Sequence, residues 1–393
     1  MLKMLYINYF NIYNIMSYNV NGQNMLNWFY SRSQPSNSPN TASTTNFRIN
    51  NVDISNNYNG IGTNSNIPVT RLYTINYFSN GTSIGNLFEL NLPVFSGTID
   101  VDYKIWPPSG NNGLLIQFLN STSIRFNYKV TCTFLAVGGG GGGGGSNQSN
   151  AGGGGGAGGV ILGSIVNALP NNSFTITIGG GGAAGAGTEN NRNGGNGDGT
   201  TISYNGASIT AGGGGGGGQG KGISYDVTNA SSGGSGSYEN GDSGIGSITK
   251  STPDTGVFQG MTVFCNVGSK GVKQSNDDGP GGGGGGAGGA ASAASGNTAG
   301  NGGNGYTYWF GATSITAGGG GGGGAREGNN YQPGSGGSGV GGQGGWSGTS
   351  GNGSSGFTNT GGGGGGAWNA AGNGGAGGSG TVFFYILPGG VSL

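Results

Sequence analysis

The sequence predicts an all-β protein built in two styles. An N-terminal antiparallel β unit precedes a glycine-rich domain of short strands and bundled polyglycine-II helices. Three observations carry this prediction. Runs such as IDVDYKIW and IRFNYKV alternate apolar and polar residues, the period of a half-buried strand. No stretch shows the apolar period of an amphipathic helix. Finally, 103 of 393 residues are glycine, gathered into nearly pure runs beside the strands.

Composition narrows the functional classes. The 13 basic and 13 acidic residues balance and form no Lys/Arg cluster, which argues against binding nucleic acid by phosphate neutralisation. Disordered polar tracts are rich in Glu, Lys and Pro, whereas this chain has 11 prolines beside 16 Phe, 17 Tyr and 5 Trp. That mixture argues for order with unusual support. Histidine, the commonest general base and metal ligand, is absent. The two cysteines, Cys132 and Cys265, lie in the apolar runs TCTFLAV and MTVFCNV. They read as buried thiols in strands or, in an oxidising compartment, as a disulfide.

The first element is MLKMLYINYFNIYNIM, which is interrupted by Asn, lacks a small-residue cleavage site and is too short and polar to span a bilayer. It reads as leader, with Met16 the alternative start to Met1. Two echoing segments follow, Tyr18-Asn-Val-Asn-Gly-Gln-Asn-Met25 and Phe47-Arg-Ile-Asn-Asn-Val-Asp-Ile54, each a strand running into an Asx turn. Between them SRSQPSNSPNTASTTN reads as a polar tether. Strand signals then dominate from Leu72 to Val137. The expected organisation is leader and tether over 1–46, an antiparallel β unit over 47–130 and the glycine-rich domain over 131–393.

In the last region glycine runs occupy 138–145, 152–156, 179–182, 212–218, 281–286, 318–324 and 361–366. The strands VILGSIV, SFTITI, TTISYNGASIT, MTVFCNV, YTYWFGATSIT and TVFFYIL sit between them. One unit recurs. Asn193-Gly-Gly-Asn-Gly197 leads through ISYNGASITA into seven glycines, and Asn301-Gly-Gly-Asn-Gly305 leads through YTYWFGATSITA into seven more. A flexible linker needs no such regular relation to strands. Pure glycine can form a polyproline-II-like helix with about three residues per turn and about 3.1 Å rise. All its amides and carbonyls then point outward and need partners on neighbouring helices. Collagen is excluded, because no sustained Gly-X-Y period exists and the runs hold almost no proline.

The order of SIRFNYKVTCTFLAVGGGGGGGG, GGGGGAGGVILGSI and FTITIGGGGAAGAG, the ITAGGGG units and the closing Gly374-Gly-Ala-Gly-Gly-Ser-Gly380-TVFFYIL resembles a known family. It is similar to the glycine-rich, polyglycine-II-type domain of phage tail fibres or adhesins and giant-virus surface proteins. The resemblance covers about residues 121–393. It implies a lattice of glycine helices whose connecting loops carry receptor contact. The Asn/Ile/Tyr-rich front of the chain is also similar to the fronts of large-DNA-virus proteins.

A search for chemistry finds little. Gly215 to Lys221 matches the phosphate-loop spacing, but Gly222 stands where Ser or Thr must hold Mg²⁺ and no helix follows. GGNGDG at 194–199 is similar to a calcium-binding nonapeptide, yet its aspartate is one position early and no array exists, so it reads as turn chemistry. Asp277-Asp278-Gly279-Pro280 reads as a turn. The N-x-S/T tripeptides at Asn80 and Asn120 are common by chance in an Asn-rich chain. Scattered carboxylates give no paired acid and base. No catalytic, cofactor or metal residues are assigned, and an enzyme is not expected.

Aromatics in the excursions between glycine runs are the candidate receptor or glycan contacts: Tyr225, Tyr238, Phe258, Tyr331, Trp346, Phe357 and Trp368. Rings on Gly/Asn/Ser loops give large amphipathic contact at little entropy cost; the bland alternative is that each covers bare glycine backbone. The expected function is a non-enzymatic viral surface or fibre protein, on the virion surface or extracellular, presenting loops for host attachment. Its expected partners are copies of itself, a host glycan or receptor, and virion proteins through the N-terminal region, with no nucleic acid and no membrane span. The alternative is a structural protein that self-assembles into filaments or a coat layer.

Overall fold

The structure is a computed structural model. It describes residues 93–106, 114–146, 150–187, 193–220, 230–237, 256–273, 279–325, 331–346, 350–368, 372–387 and 391–392, with short strand pairs before residue 84. The chain divides into two compact units, Met1–Glu89 and Leu90–Leu393.

In the first unit three hairpins are described. Strand β1 (Asn19–Val20) pairs antiparallel with β2 (Gln23–Asn24), β3 (Arg48–Ile49) with β4 (Val52–Asp53), and β5 (Phe78–Ser79) with β6 (Thr82–Ser83). Each pair is joined by two residues, Asn21-Gly22, Asn50-Asn51 and Asn80-Gly81, the residue types that two-residue turns require. The echo seen twice in the sequence thus has a third member at Phe78.

The second unit is almost entirely strand and extended glycine. Its strands are β7 (Val94–Phe95), β8 (Tyr103–Trp106), β9 (Leu114–Phe118), β10 (Thr122–Arg125), β11 (Lys129–Val137), β12 (Val160–Ala168) and β13 (Ser173–Thr177). Then come β14 (Thr200–Tyr204), β15 (Ala207–Ala211), β16 (Phe258–Phe264), β17 (Tyr306–Phe310), β18 (Thr313–Ala317), β19 (Thr381–Ile386) and β20 (Val391–Ser392). Every pairing is antiparallel. A five-stranded sheet runs β15-β14-β13-β10-β7, and a seven-stranded sheet runs β16-β12-β11-β19-β9-β8 with β20 beside β11. The all-β expectation holds. The expected boundary at 130/131 falls inside β11, and strands before it pair directly with β12, β13 and β19 after it.

The central β11 explains the layering. Phe134 and Ala136 face one core with Phe118, Phe174, Ile202, Tyr204 and Phe384, so the five-stranded sheet covers that face. Leu135 and Val137 face the opposite core with Leu115, Phe383, Phe310 and Ala317, so hairpin β17–β18 covers the other face. Tyr306 stacks on Phe264 at 3.8 Å, and Phe310 meets Phe383 at 5.9 Å. The two copies of the internal repeat therefore lie on opposite faces of one sheet. Their turns differ in chemistry. Asn205 (φ 48°) and Gly206 (φ 80°) make a type I′ turn, while Gly311 (φ 62°) opens the other hairpin. Cys132 and Cys265 are both buried free thiols, which leaves the thiol reading of that pair. Burial pushes the Cys132 thiol up, so it stays protonated.

The glycine runs continue off the ends of these strands and pack against one another. Residues 138–145 show the rule. Gly138, Gly141 and Gly144 donate to Gly159, Gly156 and Gly153; Gly139 and Gly142 donate to Asp198 and Gly195; Gly140 and Gly143 donate to Gly378 and Gly375. Their carbonyls follow the same rotation. Gly139 and Gly142 accept from Gly214 and Gly217, Gly140 and Gly143 from Gly182 and Gly185, Gly141 and Gly144 from Gly364 and Ala367. All of these bonds measure 2.8–2.9 Å. The partner changes with every residue and returns after three, so the segment donates to three neighbours and accepts from three others. Residues 152–159 and 318–324 are surrounded in the same way.

This packing leaves no room for a side chain. A Cβ added at Gly138, Gly139 or Gly140 would collide with the carbonyl of Gly212, Gly180 or Gly362 in turn. Close approach, not positive φ, is what demands glycine here. Side chains return only at the perimeter, as at Gly180, where an added Cβ meets nothing nearer than Asp198 Oδ2 at 3.3 Å. We expect Gly142→Ala, whose Cβ would strike the Ala183 carbonyl, to cost at least the ~1–3 kcal/mol of ordinary overpacking. Thermal unfolding should show a midpoint lowered by several degrees, while Gly180→Ala stays near wild type.

Candidate binding surface

The hydrogen-bond register fixes where each candidate aromatic sits. Residues 318–324 leave the sheet end at β18, and residues 361–367 run parallel to them, Gly363 and Gly366 bonding to Gly319 and Gly322. Residues 342–345 also run parallel, while 334–337 return antiparallel. Residues 325, 331, 346, 350, 368 and 372 therefore lie at the lattice end remote from the sheets.

Tyr331, Trp346 and Trp368 come to that remote end. Gly351 N–H donates to the Trp346 carbonyl at 3.0 Å, and Trp368 N–H donates to the Gly351 carbonyl at 2.6 Å, so one glycine ties both tryptophan backbones. Trp346 is 42% exposed. Trp368 is buried, and its Nε1–H has no partner. Tyr331 is half-buried, and the neighbouring Gln332 carbonyl accepts from Ala299.

The other candidates separate. Phe357 is 60% exposed but lies at the sheet end, where its N–H bonds the Val340 carbonyl and Thr360 bonds its own. Phe258 is corrected from loop to core: β16 begins at that residue, upstream of the expected MTVFCNV strand. Its buried ring meets Phe134 edge-on at 6.0 Å and cannot touch a partner. Tyr225 and Tyr238 lie outside the described residues.

Sequence reasoning missed Trp309. The run YTYWF reads as one apolar strand, yet β17 turns Tyr306, Tyr308 and Phe310 inward and leaves Thr307 and Trp309 outward, Trp309 being 63% exposed. The period-two pattern contained the signal. Also missed was the chemistry of the NGGNG motif. Asn193 and Asn196 stand three residues apart, hence on one face, and their Oδ1 atoms accept from the amides of Gln219 and Gly216 at 2.7 and 2.9 Å. Asn301 does the same for Ser335 at 2.8 Å. These amides lie at the lattice perimeter, where no further carbonyl is at hand. Serines in 231–237 act likewise: Ser232 and Ser235 hydroxyls accept from Gly268 and Gly271. The segment 194–198, expected as turn chemistry, is instead a lattice member, Asp198 bonding Gly139 and Gly180 through its backbone.

Among the described residues the resolved shifts fall on structural groups, the Cys132 thiol and two phenols. Burial and then the Asp100 and Asp102 charges raise the Tyr103 hydroxyl, and burial and then Tyr308 raise that of Tyr306. Among the described residues no group of three or more Cys, Asp or Glu side chains gathers to hold a metal. No helix among them is long and apolar enough to cross a membrane. At the remote end the described residues offer an exposed Trp346 and a half-buried Tyr331.

A family profile described as a glycine-rich domain matches residues 120–387. No curated protein matches the chain.

Replacing Asn193 and Asn196 by Ala leaves two perimeter amides without acceptors. Each substitution should cost about 1 kcal/mol, read as a lower denaturation midpoint with the β signature unchanged in circular dichroism.

Proposed function

We propose, for a chain that belongs to the glycine-rich domain family, a non-enzymatic role as a rigid scaffold that presents the turns at its remote end for attachment to a host surface. The observation that supports this reading most is the gathering of Tyr331 and Trp346 at the lattice end farthest from the sheets. An exposed tryptophan and a half-buried tyrosine at the same end of the lattice make a low-entropy recognition surface. The runs behind it we read as polyglycine-II helices. The three-residue rotation of partners supports that assignment, because three residues per turn present successive amides to successive neighbours.

The resemblance of the run order to phage tail fibres and giant-virus surface proteins supports reading this role as one at a virion or on an extracellular fibre. The N-terminal hairpin unit is then the part that joins other virion proteins or further copies of the chain.

One observation favours a second reading, assembly into filaments or a coat layer. In residues 179–186, Gly182 and Gly185 donate into the lattice, whereas Gly180, Gly181, Ala183 and Ala184 face solvent. A backbone edge left bare at these four positions invites pairing with another chain, the Asp198 carboxylate being the charge nearest to it at Gly180.

Electron microscopy of the purified full chain in dilute buffer separates the two. The attachment reading expects discrete short particles of uniform size. Long regular filaments would overturn it in favour of assembly through the exposed edge.

A further inference from the structure

The duplicated hairpin supplies an internal comparison. β14–β15 (200–211) and β17–β18 (306–317) match residue for residue, both ending in Ser-Ile-Thr-Ala before a glycine run. Both keep a cross-strand hydroxyl pair on the outer face, Thr201 with Thr210 and Thr307 with Thr316, each at 2.8 Å. Both keep a serine beside it, Ser208 and Ser314. The position opposite that serine is Ser203 in the first copy and Trp309 in the second.

Folding does not ask for this tryptophan. Its ring is 63% exposed, and its indole makes no hydrogen bond or ring-stacking contact with a described residue. The inward ring positions of the same hairpin, Tyr306, Tyr308 and Phe310, already do the packing on the seven-stranded sheet. The sister hairpin folds with serine at this point.

We propose that Trp309 and its hydroxyl surround form a binding platform for a neutral pyranose of an oligosaccharide. The apolar C–H face of the sugar lies on the indole, and its hydroxyls meet the indole N–H, Ser314 and the Thr307–Thr316 pair. Charge complementarity selects the class. No residue from Tyr306 to Ala317 is charged, so the face matches an uncharged sugar and offers no partner to a carboxylate or sulfate. This platform is separate from the remote-end turns and does not depend on them.

The test titrates the full chain with mannohexaose, laminarihexaose, cellohexaose and chitohexaose, following tryptophan fluorescence and calorimetric heat. The expected result is saturable binding of at least one of them. W309S, which installs the residue the sister hairpin already carries, should weaken it at least tenfold with an unchanged thermal midpoint. W309F, which keeps an aromatic face, should retain most of it. Equal binding by W309S and wild type, or no saturable binding of any of the four at millimolar concentration, would overturn the proposal. So would a W309S sedimentation coefficient lower than that of wild type at equal concentration, which would make Trp309 a contact between copies of the chain.

Discussion

The whole second unit depends on one constraint: a buried backbone amide must find an acceptor, and in a glycine run it can find one only on another backbone. Along 138–145 the amides reach three neighbours in a rotation that returns every third residue, and three more neighbours donate back. Neighbours this close exclude every Cβ, so the hydrogen-bond demand and the glycine content are two sides of one fact. Ordering glycine is entropically expensive, about 1–2 kcal/mol per residue. A net gain near 1 kcal/mol per hydrogen bond offsets that only where nearly every amide is bonded, which favours a lattice several runs across over any isolated pair.

The sheets supply what the lattice lacks, a conventional apolar core. Val137, Val160, Ala211, Ala317 and Thr381 end or begin strands and lead directly into or out of glycine runs, so strand pairing sets the register of the runs that follow. β11 and β12 pair at Val137 and Val160, and their continuations then bond as Gly138 to Gly159, Gly141 to Gly156 and Gly144 to Gly153. Polar side chains take the place of carbonyls where the backbone offers none, at the exposed edge by Asn193 and Asn196 and in the interior by Ser232 and Ser235. Asn193, Asn196, Ser232 and Ser235 recur at three-residue spacing because that spacing keeps them on one face.

Much of this was legible in the sequence. Strand alternation located most of β8 to β19, and the SITA repeat marked both hairpins. What the pattern could not reveal is partnership: nothing in YTYWFGATSITA says that its copy would cover the opposite face of the same sheet. The candidate surface was less legible. Aromatics were chosen by their polar neighbours, a rule that picked out Trp346, which is exposed, but took Phe258 for a loop residue because Gly260 broke its strand pattern in the middle. Trp309 was passed over for the converse reason, an apolar run that hides alternation when both faces carry rings. Trp368 looks like a loop aromatic, yet its side chain is buried.

The most direct measurement of the central claim is amide hydrogen exchange resolved along the glycine runs under native conditions. The account requires 138–145 and 318–324 to exchange only with large-scale unfolding, and the solvent-facing amides of 180–184 to exchange much faster. Complete exchange of 138–145 within seconds would make these runs linkers and contradict the lattice.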